Sequence, residues 1–276
     1  MHRAFVLPLL LLNSALLIAQ EAGTASQGPG LQRIPVGVLP STAAKLAEAI
    51  QGSYYHPDAM SGLDCAISVD WPAFFKATGT DLSADRVKQI QGLRIHSRAL
   101  RGTPAEFTLD WSDGKMDTAQ QFEGGVKQMM GGFYQIYWQM IASPLVSSFT
   151  ELRKIEPQPD GSAIVYMSDQ DQHLVVTLDK ENAPTHLKFD STAMKGTIDP
   201  HYIASPTPIP GDLRRISSLD VTEQAGPTNI QVQLSLDYQS VNGFFVPKHV
   251  SFSIVGAYAL EMEFSGCSAE KGAIAP

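Results

Sequence analysis

The chain has 276 residues and a net charge of −8, with no cluster of Lys and Arg. That is enough chain for one large domain or two small ones. The acidic balance weighs against a nucleic-acid partner or an anionic membrane surface, both of which need grouped cations.

In chain order, Met1-His2-Arg3 is a short basic segment, and residues 4–19 form an apolar run holding Pro8 and Asn13. Small residues follow through Ala25. This is the pattern of a secretory signal peptide, expected over 1–22, and it predicts a periplasmic or secreted protein that is soluble once the signal is removed. No later stretch reaches the ~20 apolar residues of a membrane span. Residues 23–40, rich in Gly, Pro, Gln and Ser, read as a flexible lead-in, leaving 41–276 as a single domain.

Ser41 opens a helix that runs to Gln51, with Leu46, Ala49 and Ile50 inward. Leu63, Cys65, Ile67, Val69 and Trp71 then alternate with polar residues, the pattern of a half-buried strand. Residues 83–91 form a short helix, and 93–100 and 105–111 a hairpin around Arg101-Gly-Thr-Pro104. Over 122–141, Val126, Met129, Met130, Phe133, Ile136, Tyr137, Met140 and Ile141 recur at helical spacing. Two glycine pairs, Gly124-Gly125 and Gly131-Gly132, interrupt that helix, each Gly costing up to ~1 kcal/mol relative to Ala. Such a helix is either packed very closely or partly mobile. Beyond Ser147 the chain reads as strands at 149–155, 162–168, 173–178, 185–191 and 215–222, with an exposed Pro-rich loop at 205–211.

Ile230, Val232, Leu234, Leu236 and Tyr238 alternate with polar residues; so do Phe244, Val246, Val250, Phe252 and Ile254, and then Tyr258, Leu260, Met262 and Phe264. Asn242-Gly243 looks like a two-residue type I′ turn. That turn, continued without interruption, sets Leu236 against His249. A bulge at Gly243 is therefore expected instead, placing Tyr238 against Val246 and Leu234 against Val250. Pro247 should sit on an edge or at an unpaired position. The whole predicts an α+β domain with a large antiparallel sheet of about eleven strands.

Tyr238-x-x-Val241-x-Gly243-x-x-Val246-Pro247 resembles the penultimate hairpin of periplasmic proteins of the outer-membrane lipoprotein-sorting type, the lipoprotein-carrier-like family. The resemblance covers about ten residues. It implies an open, curved half-barrel whose concave, hydrophobic side is covered by helices, with acyl chains bound between. This chain is longer than the carrier, around 112–149 and 200–214, and the carrier's charged latch residues have no counterpart to which they can be assigned.

Catalytic signals are weak. Ser112-Asp-Gly-Lys115 matches Ser-x-x-Lys at a turn and lacks companion motifs, and no Gly-x-Ser-x-Gly elbow exists. The histidines are scattered, Asp169-Gln-Asp171 lacks the rest of a calcium loop, and no phosphate loop follows a strand. The expectation is no enzyme activity, no metal and no cofactor. Candidate ligand-binding residues are apolar. On the helix they are Met129, Met130, Phe133, Tyr137, Trp138 and Met140. On the sheet they are Leu234, Leu236, Val250, Phe252, Leu260 and Met262. They form either the wall of a lipid pocket or an ordinary core plugged by the helix. The partner is then a lipid or lipidated protein, or another envelope protein. In an oxidising compartment Cys65 and Cys267 are favoured to pair, closing a loop of about 200 residues; two separate buried thiols are the alternative.

Overall fold

Twelve strands, each antiparallel to its neighbours, form one open sheet in the computed structural model, which describes residues 42–112, 119–146, 151–169, 172–204 and 213–272. The expected signal segment, the lead-in and the Pro-rich loop lie outside the described residues. In chain order the strands are β1 (Met60–Val69), β2 (Leu93–Leu100), β3 (Glu106–Trp111), β4 (Glu151–Pro157), β5 (Ala163–Asp169) and β6 (Gln172–Leu178). They continue as β7 (Pro184–Asp190), β8 (Lys195–Ile203), β9 (Arg215–Ala225), β10 (Thr228–Val241), β11 (Phe244–Ile254) and β12 (Tyr258–Lys271). The helices are α1 (Ala43–Gln51), α2 (Trp71–Ala77), α3 (Ala84–Gln91) and α4 (Ala119–Ile136), the last running into a π-turn at Tyr137–Ile141.

The sheet order is β3-β2-β1-β12-β11-β10-β9-β8-β7-β6-β5-β4. The meander β4–β12 therefore returns so that its last strand pairs with β1, and β3 and β4 are left at opposite edges. These two strands are consecutive in the chain, with α4 between them. The connection must traverse the sheet from edge to edge, and an 18-residue helix with ~1.5 Å rise per residue supplies much of that span. The α+β class with a large antiparallel sheet is as expected, with twelve strands in place of eleven.

Three local expectations change. The first strand ends at Val69, not Trp71: the Asp70 side chain accepts from Ala73 N at 3.0 Å and caps α2, with Pro72 in its first turn. Strand β8 was not expected, because Lys195-Gly-Thr-Ile-Asp-Pro-His201 shows no alternation. It forms because Gly196 lets Thr222 approach, where a Cβ would lie 2.1 Å from the Thr222 carbonyl oxygen. Pro200, in β8, lies opposite Leu219 of β9 and beyond Ile198, the last β8 residue paired with β7, so its missing N–H breaks no ladder on that side.

The third correction concerns the β10–β11 hairpin. Its tip is the two-residue turn, with Val241 opposite Phe244 and positive φ at Asn242 (52°) and Gly243 (83°). The irregularity comes further down, between Tyr238–Pro247 and Asp237–His249, so the extra residue is Lys248. Apolar pairing is recovered there, with Leu236 opposite Val250 and Leu234 opposite Phe252. Pro247 lies at this bulge and before the β11–β12 ladder begins at His249, in a central strand but at a position that asks for no N–H. The Gln239 amide bonds the Pro247 and Phe264 carbonyls, both at 2.9 Å, where those two strands part.

Candidate functional site

Alternation on three neighbouring strands places the six predicted sheet residues in two rungs. Leu236, Val250 and Met262 are successive register partners across β10, β11 and β12, and Leu234, Phe252 and Leu260 form the next rung. All six are no more than 2% exposed. The rungs extend sideways through Leu219 on β9 and Val69 on β1.

Helix α4 lays its apolar stripe on this surface. The Phe133 ring lies 6.2 Å from that of Phe252 and 5.6 Å from that of Phe264, and Tyr137 stacks on Phe133 at 5.9 Å. Phe133 and Tyr137 are fully buried, and Met129, Met130, Trp138 and Met140 are buried in the same apolar cluster. The twelve candidate residues thus share one buried core.

Polar contacts pin α4 at three places. Near its start, Trp111 Nε1 donates to Glu123 Oε1 at 2.7 Å. At its middle, the Tyr134 hydroxyl lies 2.6 Å from Ser97 Oγ, and burial pushes the Tyr134 hydroxyl pKa upward. At its end, Arg101 donates to the Met60, Pro57 and Ala142 carbonyls and to Ser143 Oγ, with its guanidinium 5.2 Å from the Trp138 ring centroid. Ala142 N donates to the Tyr137 carbonyl at 2.8 Å, the wide turn of the π-helix. None of these polar anchors was legible beforehand. Arg101 opens a turn, and nothing in its neighbours shows that it reaches a helix end about 40 residues away.

Two features of α4 are not explained by tight packing. A Cβ added at Gly124, Gly125 or Gly131 meets nothing within 4 Å, so close packing is not what these glycines serve. The Tyr137 hydroxyl, Trp138 Nε1 and Gln139 Oε1 are buried without a hydrogen-bond partner. Each such atom costs about 1–3 kcal/mol.

Cys65 and Cys267 form a disulfide across the adjacent strands β1 and β12, at the bulge where Gly266 has a φ of 56°. Among the described residues no group of three His, Cys, Asp or Glu side chains is placed to hold a metal. Several histidines instead pair singly with acids on exposed strand faces, as His96 does with Asp64 at 3.0 Å and His201 with Asp220 at 3.4 Å. No helix among the described residues is long and apolar enough to cross a membrane.

With this geometry in view, the chain was compared with known proteins. No protein-family model matches it, and no curated protein matches it in sequence. Among solved structures it is similar to a domain from Vibrio parahaemolyticus described as a "putative outer membrane lipoprotein-sorting protein domain". The two share 10% identity over 84% of this chain and 93% of that one, with a TM-score of 0.25. At that score the likeness carries no argument. It names the same family as the hairpin resemblance, and the functional reading rests on the site.

Proposed function

We propose that this chain is a non-enzymatic binding protein of the cell envelope that holds an acyl chain, lipid or lipidated peptide between its sheet and α4, with the helix acting as a displaceable cover. One observation carries this reading: α4 sets buried aromatic rings against two rungs of large side chains, yet three of its four glycines, Gly124, Gly125 and Gly131, face open space, Gly132 alone being buried. Three such glycines remove up to about 3 kcal/mol of helix propensity without any gain in packing. A bound acyl chain contributes about 0.8 kcal/mol per buried CH₂, so roughly sixteen carbons supply about 12 kcal/mol of apolar drive. The hairpin resemblance and the signal-like pattern of residues 1–22 support the same reading.

A second reading is favoured by the complete burial of Phe133 and Tyr137. On it, the helix is a permanent core element and the partner is another envelope protein. Native mass spectrometry of gently purified protein, followed by lipid extraction, separates the two. Adducts of acyl-chain mass support the first reading; repeated spectra of bare polypeptide that takes up no added fatty acid support the second.

A further inference from the structure

Two consecutive arginines at the start of β9 are treated very differently by the fold. Arg214 pairs with Asp179 at 2.7 Å, approaches Glu181, and lies over the Tyr202 ring. Arg215 is more deeply buried, at 4% exposure, and its Nε and Nη1 have no hydrogen-bond partner. Among the described residues no carboxylate pairs with it. Its guanidinium rests on aromatic faces, 4.1 Å from the Phe245 ring centroid and 5.9 Å from that of Tyr238. Burying a guanidinium is costly unless its donors are matched. Two ring faces offset part of the desolvation and leave the forked N–H donors unused.

The surroundings suit an anion. The Tyr55 and Tyr238 hydroxyls both lie within electrostatic reach of Arg215. Tyr238 donates to the Ile216 carbonyl at 2.5 Å, whereas Tyr55 accepts from Phe245 N at 2.9 Å and keeps its own proton to offer. The unpartnered Tyr137 hydroxyl lies within electrostatic reach of both tyrosines. Tyr137 belongs to the π-turn of the proposed cover, and the cation within its own electrostatic reach is Arg101.

We infer that Arg215, with the Tyr55 hydroxyl beside it, is an oxyanion site that takes a carboxylate or phosphate. In the lipid-binding reading, on which this source of the anion rests, it holds the head of an amphiphile whose tail lies under α4. A planar fork matches either oxyanion with two parallel hydrogen bonds.

The test compares sodium oleate, oleyl alcohol and inorganic phosphate on delipidated wild-type protein, Arg215→Met and Arg215→Lys, reading affinity by titration and stability by thermal shift. The expected result is wild-type preference for oleate over oleyl alcohol by about tenfold or more, the effect of a charge-assisted hydrogen bond. In Arg215→Met the preference disappears while alcohol binding persists, and in Arg215→Lys it is reduced. If phosphate alone stabilises wild type and not Arg215→Met, while neither oleyl compound binds, the oxyanion site stands with a free anion as its source and the lipid reading fails. If Arg215→Met keeps the oleate preference, or wild type binds both oleyl compounds equally and ignores phosphate, the oxyanion site is overturned while the lipid reading survives. Should Arg215→Met not fold, the Arg215→Lys and wild-type arms decide between the same outcomes.

Discussion

Glu223 shows how a single side chain ties this fold to pH. It is 4% exposed on β9 with Oε1 unpartnered, and burial holds its carboxyl above the ordinary value of 4.5. Above pH 4.5 the unfolded chain gives up this proton while the folded chain retains it. The native state then binds more protons, and its contribution to stability falls as pH rises through that window. Glu223→Gln, similar in size and uncharged, should melt higher than wild type at pH 8 and equal to it at pH 4; equal melting at both pH values would refute the assignment. Single residues were also where sequence reading succeeded and failed most clearly. The Cys65–Cys267 bond is the favoured of the two states expected from two cysteines behind a signal-like segment. The hairpin bulge was misplaced because alternation demands that one residue be absorbed somewhere, without saying where. Pro247, which tolerates an irregular ladder, draws it to Lys248 rather than to the tip.

At the scale of the element, α4 is the informative piece. Its periodicity was legible because apolar residues recur at helical spacing over five turns. Its polar anchors were not, since Ser97, Trp111 and Arg101 come from strands and a turn with no local signal of what they reach. Strand β8 stayed hidden for a related reason: a Gly fitted to a neighbour's backbone and a Pro past the end of a ladder both look locally like loop. The helix glycines allow a direct test. Replacing Gly124, Gly125 and Gly131 by Ala adds methyl groups where nothing lies within 4 Å. The triple variant should gain up to about 3 kcal/mol in thermal or urea denaturation. On the displaceable-cover reading it should also take up fluorescent fatty acid more slowly than wild type. Unchanged uptake with increased stability would separate helix propensity from gating. Truncating the contact itself, Phe133→Ala, should cost about 3–5 kcal/mol in the ligand-free protein.

For the whole molecule, topology explains why a helix must cross the sheet at all. Consecutive strands β3 and β4 stand at opposite edges, so the chain between them has to span the width, and Phe133 of α4 meets the rings of Phe252 and Phe264 on the way. The sequence predicts the class of sheet from its alternating strands. It cannot show that β12 returns to pair with β1, because that pairing joins residues about 200 apart and leaves no local mark. The disulfide fastens this same pairing, across a sequence separation of 202. A Cys65→Ser, Cys267→Ser variant should lose about 4–5 kcal/mol in equilibrium urea unfolding, since a loop of this size stays unconstrained in the denatured chain. A loss below about 1 kcal/mol would show that the sheet closes independently of the bond. The central claim, that α4 lifts from the sheet to admit an acyl chain, is tested most directly by hydrogen exchange in delipidated protein with and without oleate. Amides of Ala119–Ile141 should exchange through an opening well below the global unfolding free energy of β10–β12, and oleate should change protection in the helix and in those strands. Exchange of α4 only together with the central strands, unaltered by oleate, would contradict it.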